Sequence, residues 1–202
     1  MDASEPTRRP SAPRGRPVEV DPEQLAAIAL ALFDERGFDL VTMADIAEAA
    51  GVSRRTLFRY YPSKPDLVWG GFDEAIARFE ASLAAGADSG IRDDSAPRIA
   101  ELHRAYVAIA EFPPELLEVT RRRLRIIDEY PAVLAHGLAK FGAVHELLEP
   151  FLGEPGSLEA HLLADLYVTT GFSAMRWWAR SGTGTPAAAV DGALAVLEGE
   201  FG

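Results

Sequence analysis

Between Gly51 and Lys64 the chain carries Arg54, Arg55, Arg59 and Lys64 and no acidic residue. Ser53, Thr56, Phe58 and Tyr60 are interleaved with these cations, and Thr42 stands a few residues upstream. Such a set suits a polyanion. Guanidinium groups match phosphates and guanine edges in pairs of hydrogen bonds, and hydroxyls fix position on phosphate. A solvated helix face is the other reading of the same charges. The net charge of −11 does not exclude a nucleic-acid partner. Residues 1–64 hold 9 Lys and Arg against 10 Asp and Glu, and the remainder holds 11 against 21. The acidic excess therefore lies away from the basic stretch, and salt screens charges beyond about 8 Å.

The elements that must position these residues are helical. Asp21-Pro22 is a good start: Asp caps and Pro suits the first helical position. Leu25, Ile28, Ala29, Leu32 and Phe33 follow at helical spacing, up to Gly37. Thr42 opens a second helix, with Asp45 three residues on as a capping box. Gly51 ends it, Ser53 caps a third short helix through Tyr60, and Pro62 stops that one. Ser63 caps a fourth, read as continuous to about Leu83. Gly86 to Asp94 reads as a loop. Helices then follow at 99–111, 115–128, 131–151, 158–180 and 187–200, divided by Pro113-Pro114, Tyr130-Pro131, Gly153 to Gly156 and Ser181 to Gly184. About nine helices and no strand alternation make the chain all-α. Two short helices meeting at Gly51, with Ala47 small at the crossing and Val52 and Leu57 between them, have the pattern of a helix-turn-helix.

The stretch from Thr42 through Ile46-Ala47, Ala50-Gly-Val-Ser53, Phe58 to Tyr61 and Lys64-Pro-Asp-Leu67 resembles the TetR family of bacterial regulators. The preceding Phe33-x-x-x-Gly37-Phe38 agrees with that family's first helix. Arg54 to Lys64, Trp69-Gly-Gly-Phe-Asp73 and Arg121-Arg-Arg123 also resemble the mycofactocin-system regulators within it. The resemblance implies a three-helix DNA-binding domain over 20–66 and a helical domain for effector binding and dimerisation over 67–202. It implies a homodimer that binds double-stranded operator DNA and is released by a small molecule, as a repressor. An activator or an adaptor without DNA binding is the alternative. Thr42, Ser53, Tyr60 and Lys64 would then touch phosphate, and Arg54, Arg55, Thr56 and Arg59 base edges, with Phe58 in the groove or in the core.

Residues 1–19, rich in Pro and Arg, read as a disordered arm, and Pro13-Arg14-Gly-Arg16-Pro17 as a possible minor-groove hook. In the second half, Trp69, Phe72, His103, Arg121, Arg123 and Trp177 are the candidate effector residues. The Arg121, Arg122, Arg123 and Arg125 cluster fits an anionic ligand such as an acyl-CoA, or else surface pairing with Glu118, Asp128 and Glu129. The four histidines form no i, i+4 pair with one another, so no metal and no cofactor is expected. No cysteine, Gly-x-Ser-x-Gly, His-Glu-x-x-His or P-loop occurs, and Gly182 to Ala187 reads as a linker with no strand before it, so an enzyme is not expected. No apolar run reaches about 18 residues and no secretory h-region opens the chain, so a cytoplasmic protein without membrane contact is expected.

Overall fold

The computed structural model describes residues 21–87, 98–154 and 156–201, and the expected N-terminal arm, with Arg14 and Arg16, lies outside them. The described residues form ten helices and no strand: α1 (Pro22–Arg36), α2 (Met43–Ala49), α3 (Arg54–Tyr60), α4 (Lys64–Val68), α5 (Phe72–Ala87), α6 (Ile99–Ile109), α7 (Pro114–Glu129), α8 (Pro131–Leu152), α9 (Leu158–Ser181) and α10 (Pro186–Phe201). The expected start signals operate locally. Asp21 accepts from the Glu23 amide, Thr42 and Asp45 form the reciprocal capping box, and Ser53 accepts from the Thr56 amide. Gly182 to Thr185 connects α9 to α10, with Gly182 closing α9 in the left-handed conformation, as expected of a linker.

One expectation is corrected. The helix expected to run unbroken from Ser63 to Leu83 is two helices, α4 and α5. Trp69 leaves helical geometry and Gly71 takes φ +78°. A side chain is strained in that conformation and glycine is not. Two adjacent glycines, Gly70 and Gly71, thus turn the chain between α1–α4 and the rest.

The largest cores meet at this turn. Leu25, Ala29, Leu30, Phe33, Ile46 and Leu57 from α1–α3 form one cluster with Leu67, Val68 and Trp69, and the same cluster takes in Ile126, Ile127 and Val133 from α7 and α8. A second core holds Phe79, Leu102, Tyr106, Leu148, Tyr167 and Leu194 from α5, α6 and α8–α10. The amino-terminal three-helix unit is thus packed onto the remainder through shared apolar surface, the dominant favourable term in such packing. Among the described residues no helix is long and apolar enough to cross a membrane.

Candidate DNA interface and effector cavity

Leu57 fixes the orientation of α3, because it is the fully buried residue of that helix. At 100° per residue, Arg55 and Arg59 lie about 160° from Leu57 on either side, and so point most directly outward. Arg54, Arg55, Phe58 and Arg59 are all exposed. Phe58 is 47% exposed, so of its two readings the outward one is what the structure shows. Arg54 and Arg55 have no hydrogen bond or ion pair among the described residues. Arg59 instead donates from Nη2 to Tyr60 Oη at 3.0 Å and lies over the Tyr60 ring. Tyr61 is buried, and its hydroxyl donates to the Pro22 carbonyl at 3.0 Å. Burial and the nearby Glu23 push this phenol up to about 12, which keeps the donor proton in place across the ordinary pH range.

Two residues expected on phosphate have other work within the fold. The Thr42 hydroxyl donates to Asp45 Oδ2 at 2.6 Å, and that hydrogen bond holds the Asp45 carboxyl below the usual range. Lys64 Nζ donates to the Phe38 carbonyl at 2.6 Å and sits over the Phe38 ring, tying the start of α4 to the α1–α2 connection. Ser53 Oγ pairs with Thr56 Oγ1 at 2.8 Å.

A cavity of about 190 Å³ opens between α4–α5, α6, α7, α8 and α9. Its wall is apolar, with Trp69, Phe72, Phe141 and Phe172 on one side. The Trp69 ring stacks on Phe172 with centroids 6.0 Å apart, meets Phe72 and Phe141 edge-on, and donates from Nε1 to the Val133 carbonyl at 2.8 Å. It can do so because α8 carries Gly137 there: a Cβ at that position would fall 2.1 Å from Trp69 Cζ2.

Three polar side chains interrupt this lining: Tyr106, Thr120 and Arg123. Tyr106 is 7% exposed, and burial pushes its phenol far above the usual range. Its hydroxyl and Arg123 Nε are buried without a hydrogen-bond partner among the described residues. Such orphaned groups each cost about 1–3 kcal/mol.

Arg123 also faces the amino-terminal three-helix unit. Its Nη2 donates to Glu23 Oε2 at 3.0 Å, at the start of α1. Gly70 and Gly71 lie against the same guanidinium, since a Cβ added to them would fall 3.3 and 3.5 Å from its nitrogens. One residue earlier on α7, Arg122 pairs with Asp34 at 2.9 Å and with Glu118. The arginine cluster is therefore mostly paired, and Glu118 is the one anticipated partner it uses. Asp128 pairs instead with Arg176 and Arg180.

Trp69, Phe72 and Arg123 thus line the cavity, and His103, Arg121 and Trp177 do not. Arg121 lies over the Trp178 ring. Trp177 is 54% exposed while Trp178 is buried, because neighbours on a helix diverge by about 100°. His103 faces α10, bonding Asp191 at 2.9 Å and Glu198 at 3.0 Å. Burial alone would lower this imidazole, but its hydrogen bonds to Asp191 and Glu198 outweigh that, and its pKa is raised above 6.5. The clasp between α6 and α10 is then fully present below pH 6.5 and is lost as pH rises through the raised value. Thermal melts are expected to show the stability of the wild type falling across that window relative to His103→Gln. Parallel pH profiles would remove His103 as the cause.

The sequence reading missed Glu23, Tyr106, Thr120, Phe141 and Phe172. Nothing in a single helical pattern marks them, although Gly137 and Gly171, small residues where rings pack, were a usable signal.

A helix-turn-helix with an outward basic face, joined through a glycine turn to a helical bundle around a cavity, defines a helix-turn-helix transcriptional regulator. Residues 25–68 match the family described as bacterial regulatory proteins, tetR family, and residues 96–202 match the MftR C-terminal domain. The chain belongs to the TetR family of transcriptional regulators. Among its relatives is the mycofactocin biosynthesis transcriptional regulator MftR of Mycobacterium tuberculosis, 33% identical over 68% of this chain and 67% of the relative. Over 70 residues it is 36% identical to the transcriptional repressor KstR2 of Rhodococcus jostii, covering 33% of this chain and 34% of that one. Solved structures agree in fold. Thermus thermophilus FadR in complex with lauroyl-CoA has a TM-score of 0.52 at 24% identity, covering 88% of this chain and 93% of that chain. A regulator from Rhodococcus sp. Rha1 has a TM-score of 0.57 at 18% identity, covering 90% and 95%.

Proposed function

We propose that this regulator is a repressor that binds a palindromic operator as a homodimer and leaves it when an amphiphile with an anionic or acceptor head enters the cavity. The observation that carries the reading is Arg123, one guanidinium shared between the cavity wall and Glu23 of α1. A ligand acceptor that engages Arg123 competes with Glu23 and loosens α1 from α7. Because the glycine turn lies against the same group, α4 shifts with it, and the two recognition helices of a dimer lose the spacing of about 34 Å that successive major grooves demand. The Tyr106 hydroxyl and Arg123 Nε, both without a partner among the described residues, offer hydrogen bonds that a polar ligand group can take up.

Cavity size narrows the class. A dry cavity of about 150 Å³ holds a benzene. The present 190 Å³ takes a ring or a short length of acyl chain, so a long acyl-CoA requires the aromatic wall to part. Dimerisation rests on α9, where Leu158, Leu162, Leu166 and Trp177 are exposed at helical spacing on one face. The arm, through Arg14 and Arg16, would add minor-groove contacts, and Ser53 and Tyr60 phosphate contacts. Lys64 is assigned to holding the α1–α2 connection.

The test is binding of the purified protein to DNA upstream of its own gene at two salt concentrations, against scrambled competitor, with acyl-CoAs of increasing chain length then added. Saturable binding that survives competitor and is reversed by one chain-length class supports the reading, with Arg123→Gln expected to blunt the release. Operator binding indifferent to every acyl-CoA removes the acyl-CoA assignment. Activation of a reporter by the bound protein removes repression.

A further inference from the structure

On α8 and α9, a second site is assembled apart from the cavity lining and the DNA face. His145 and Glu149 stand four residues apart on α8, and His161 and Asp165 stand four apart on α9. That spacing puts each pair on one helix face. The two pairs meet: the imidazole rings pack edge to face with centroids 4.5 Å apart. Glu149 Oε1 lies 3.4 Å from Nδ1 of His161 and 4.0 Å from Nδ1 of His145. Asp165 stands behind both rings, 3.6 Å from Nε2 of His145 and 3.9 Å from Nε2 of His161.

The hydrogen bonding says which nitrogen is free. Nε2 of His145 lies 3.2 Å from the backbone carbonyl of His161. A carbonyl only accepts, so Nε2 of the neutral ring carries the proton and Nδ1 presents a bare lone pair. That lone pair faces a carboxylate oxygen, and two such acceptors repel unless a proton or a metal cation lies between them. Donor atoms around a tetrahedral ion with bonds of about 2.1 Å stand about 3.4 Å apart. The His161 and Glu149 atoms already meet this spacing, the candidate ligand atoms of all three residues lie within 4.8 Å of one another, and His145 Nδ1, 4.0 Å from Glu149, has to close in to complete the set.

We propose that His145, His161 and Glu149 bind a divalent transition-metal ion of the zinc class, with Asp165 as the carboxylate that orients the two imidazoles. Two nitrogens and one carboxylate oxygen select zinc, cobalt or nickel over the oxygen-seeking magnesium and calcium. Three protein ligands leave a position for water. Carboxylates placed behind metal-binding imidazoles fix ring orientation and raise ligand basicity, the role Asp165 is placed for. Burial is graded: the His145 side chain is 14% exposed and that of His161 54%. The inner ligand is held by packing while the outer one leaves an entry path. The bound ion clips α8 to α9 and so stiffens the helix that carries the exposed leucine face. A search of the sequence for paired histidines passes over the site, because each histidine is paired with a carboxylate instead.

The experiment uses the full chain without an affinity tag, stripped with chelator and dialysed at pH 7.5. Co²⁺ is titrated in while its visible absorption is followed, Zn²⁺ is then added to displace it, and thermal melts are run with Zn²⁺ and with Mg²⁺. One Co²⁺ per chain is expected, displaced by Zn²⁺. A Tm rise of about 5–10 °C is expected at a hundredfold excess of Zn²⁺ over its dissociation constant, with none from Mg²⁺. His161→Ala, at an exposed position, is expected to keep the fold and lose the Co²⁺ band. Asp165→Asn is expected to weaken binding about 10- to 100-fold, and His136→Ala, elsewhere on α8 and paired with Asp66, to leave Co²⁺ binding unchanged. Wild-type Zn²⁺ affinity in folded His161→Ala, or no stoichiometric binding by the wild type, overturns the proposal and leaves two histidine–carboxylate ion pairs in its place.

Discussion

Replacing Arg55 with alanine is expected to lower affinity for the operator by roughly 30-fold to 10⁴-fold and affinity for scrambled DNA far less. The expectation follows from the geometry of α3. Leu57 is buried against α1 and α2, so Arg55 projects almost opposite the core, in the first turn of the recognition helix. Residues at that end of the helix reach base edges in this motif. Arg55 also starts without an ion pair or hydrogen bond among the described residues, so nothing must be broken when it meets DNA. A bidentate arginine–guanine pair contributes about 1–3 kcal/mol of discrimination, and a dimer doubles the term. Fluorescence anisotropy with operator and scrambled duplexes at two salt concentrations separates the roles. Equal losses on both duplexes, with a shallower salt slope, would show that Arg55 holds a phosphate and reads no base. Arg59 is the instructive comparison, because Tyr60 already orients it and its loss also frees that ring.

The second large effect is expected at Leu162. Placing aspartate there is predicted to convert the dimer to monomer and to cut operator affinity by about 10²- to 10⁴-fold, the gain that simultaneous engagement of two half-sites provides. Leu158, Leu162, Leu166 and Trp177 are exposed along α9, and α10 beside it presents small residues and Val196. Contiguous apolar surface of this kind marks an association site. A two-fold axis through such a face sets each new carboxylate close to its own copy, so desolvation and like-charge repulsion act together. Leu162 is half exposed in the single chain, so the substitution leaves the protomer's own core intact, and circular dichroism is expected to be unchanged. Light scattering measures the outcome directly. A variant that keeps the dimer mass would move the interface to another face, with the exposed Leu138 of α8 the next place to look.

These two predictions differ in what made them readable. The helix-turn-helix was legible because its signals are local. Thr42 with Asp45, and Ser53 with Thr56, cap helices through atoms three residues apart, and the burial of Ile46, Ala47 and Leu57 follows from helical spacing alone. The outward face of α3 then follows from one buried leucine. The break at Gly70-Gly71 is also written in the chain, but Leu67, Phe72, Ile76 and Phe79 keep a helical rhythm across it and mask it. Only the backbone at Gly71 decides that the rhythm belongs to two axes.

The cavity was legible in part. Trp69, Phe72 and Arg123 are legible by type and position. Thr120 stands one turn before Arg123 on α7, but Tyr106, Phe141 and Phe172 come from three other helices and share no spacing with them. His103 and Trp177 show the converse: suitable side chains carried away from the cavity by the rotation of their helices. The sequence by itself determined that this chain is all-helical, that a short basic helix faces outward, and that the family is TetR, because caps, periodicity and motif spacing act within a few residues. Only the tertiary structure decided which tryptophan is core, that Arg123 is shared by the cavity and Glu23, and that two histidines and two carboxylates meet across α8 and α9. Those outcomes depend on the rotation and register of one helix against another, which are set by the whole set of packed side chains, and no local pattern encodes them.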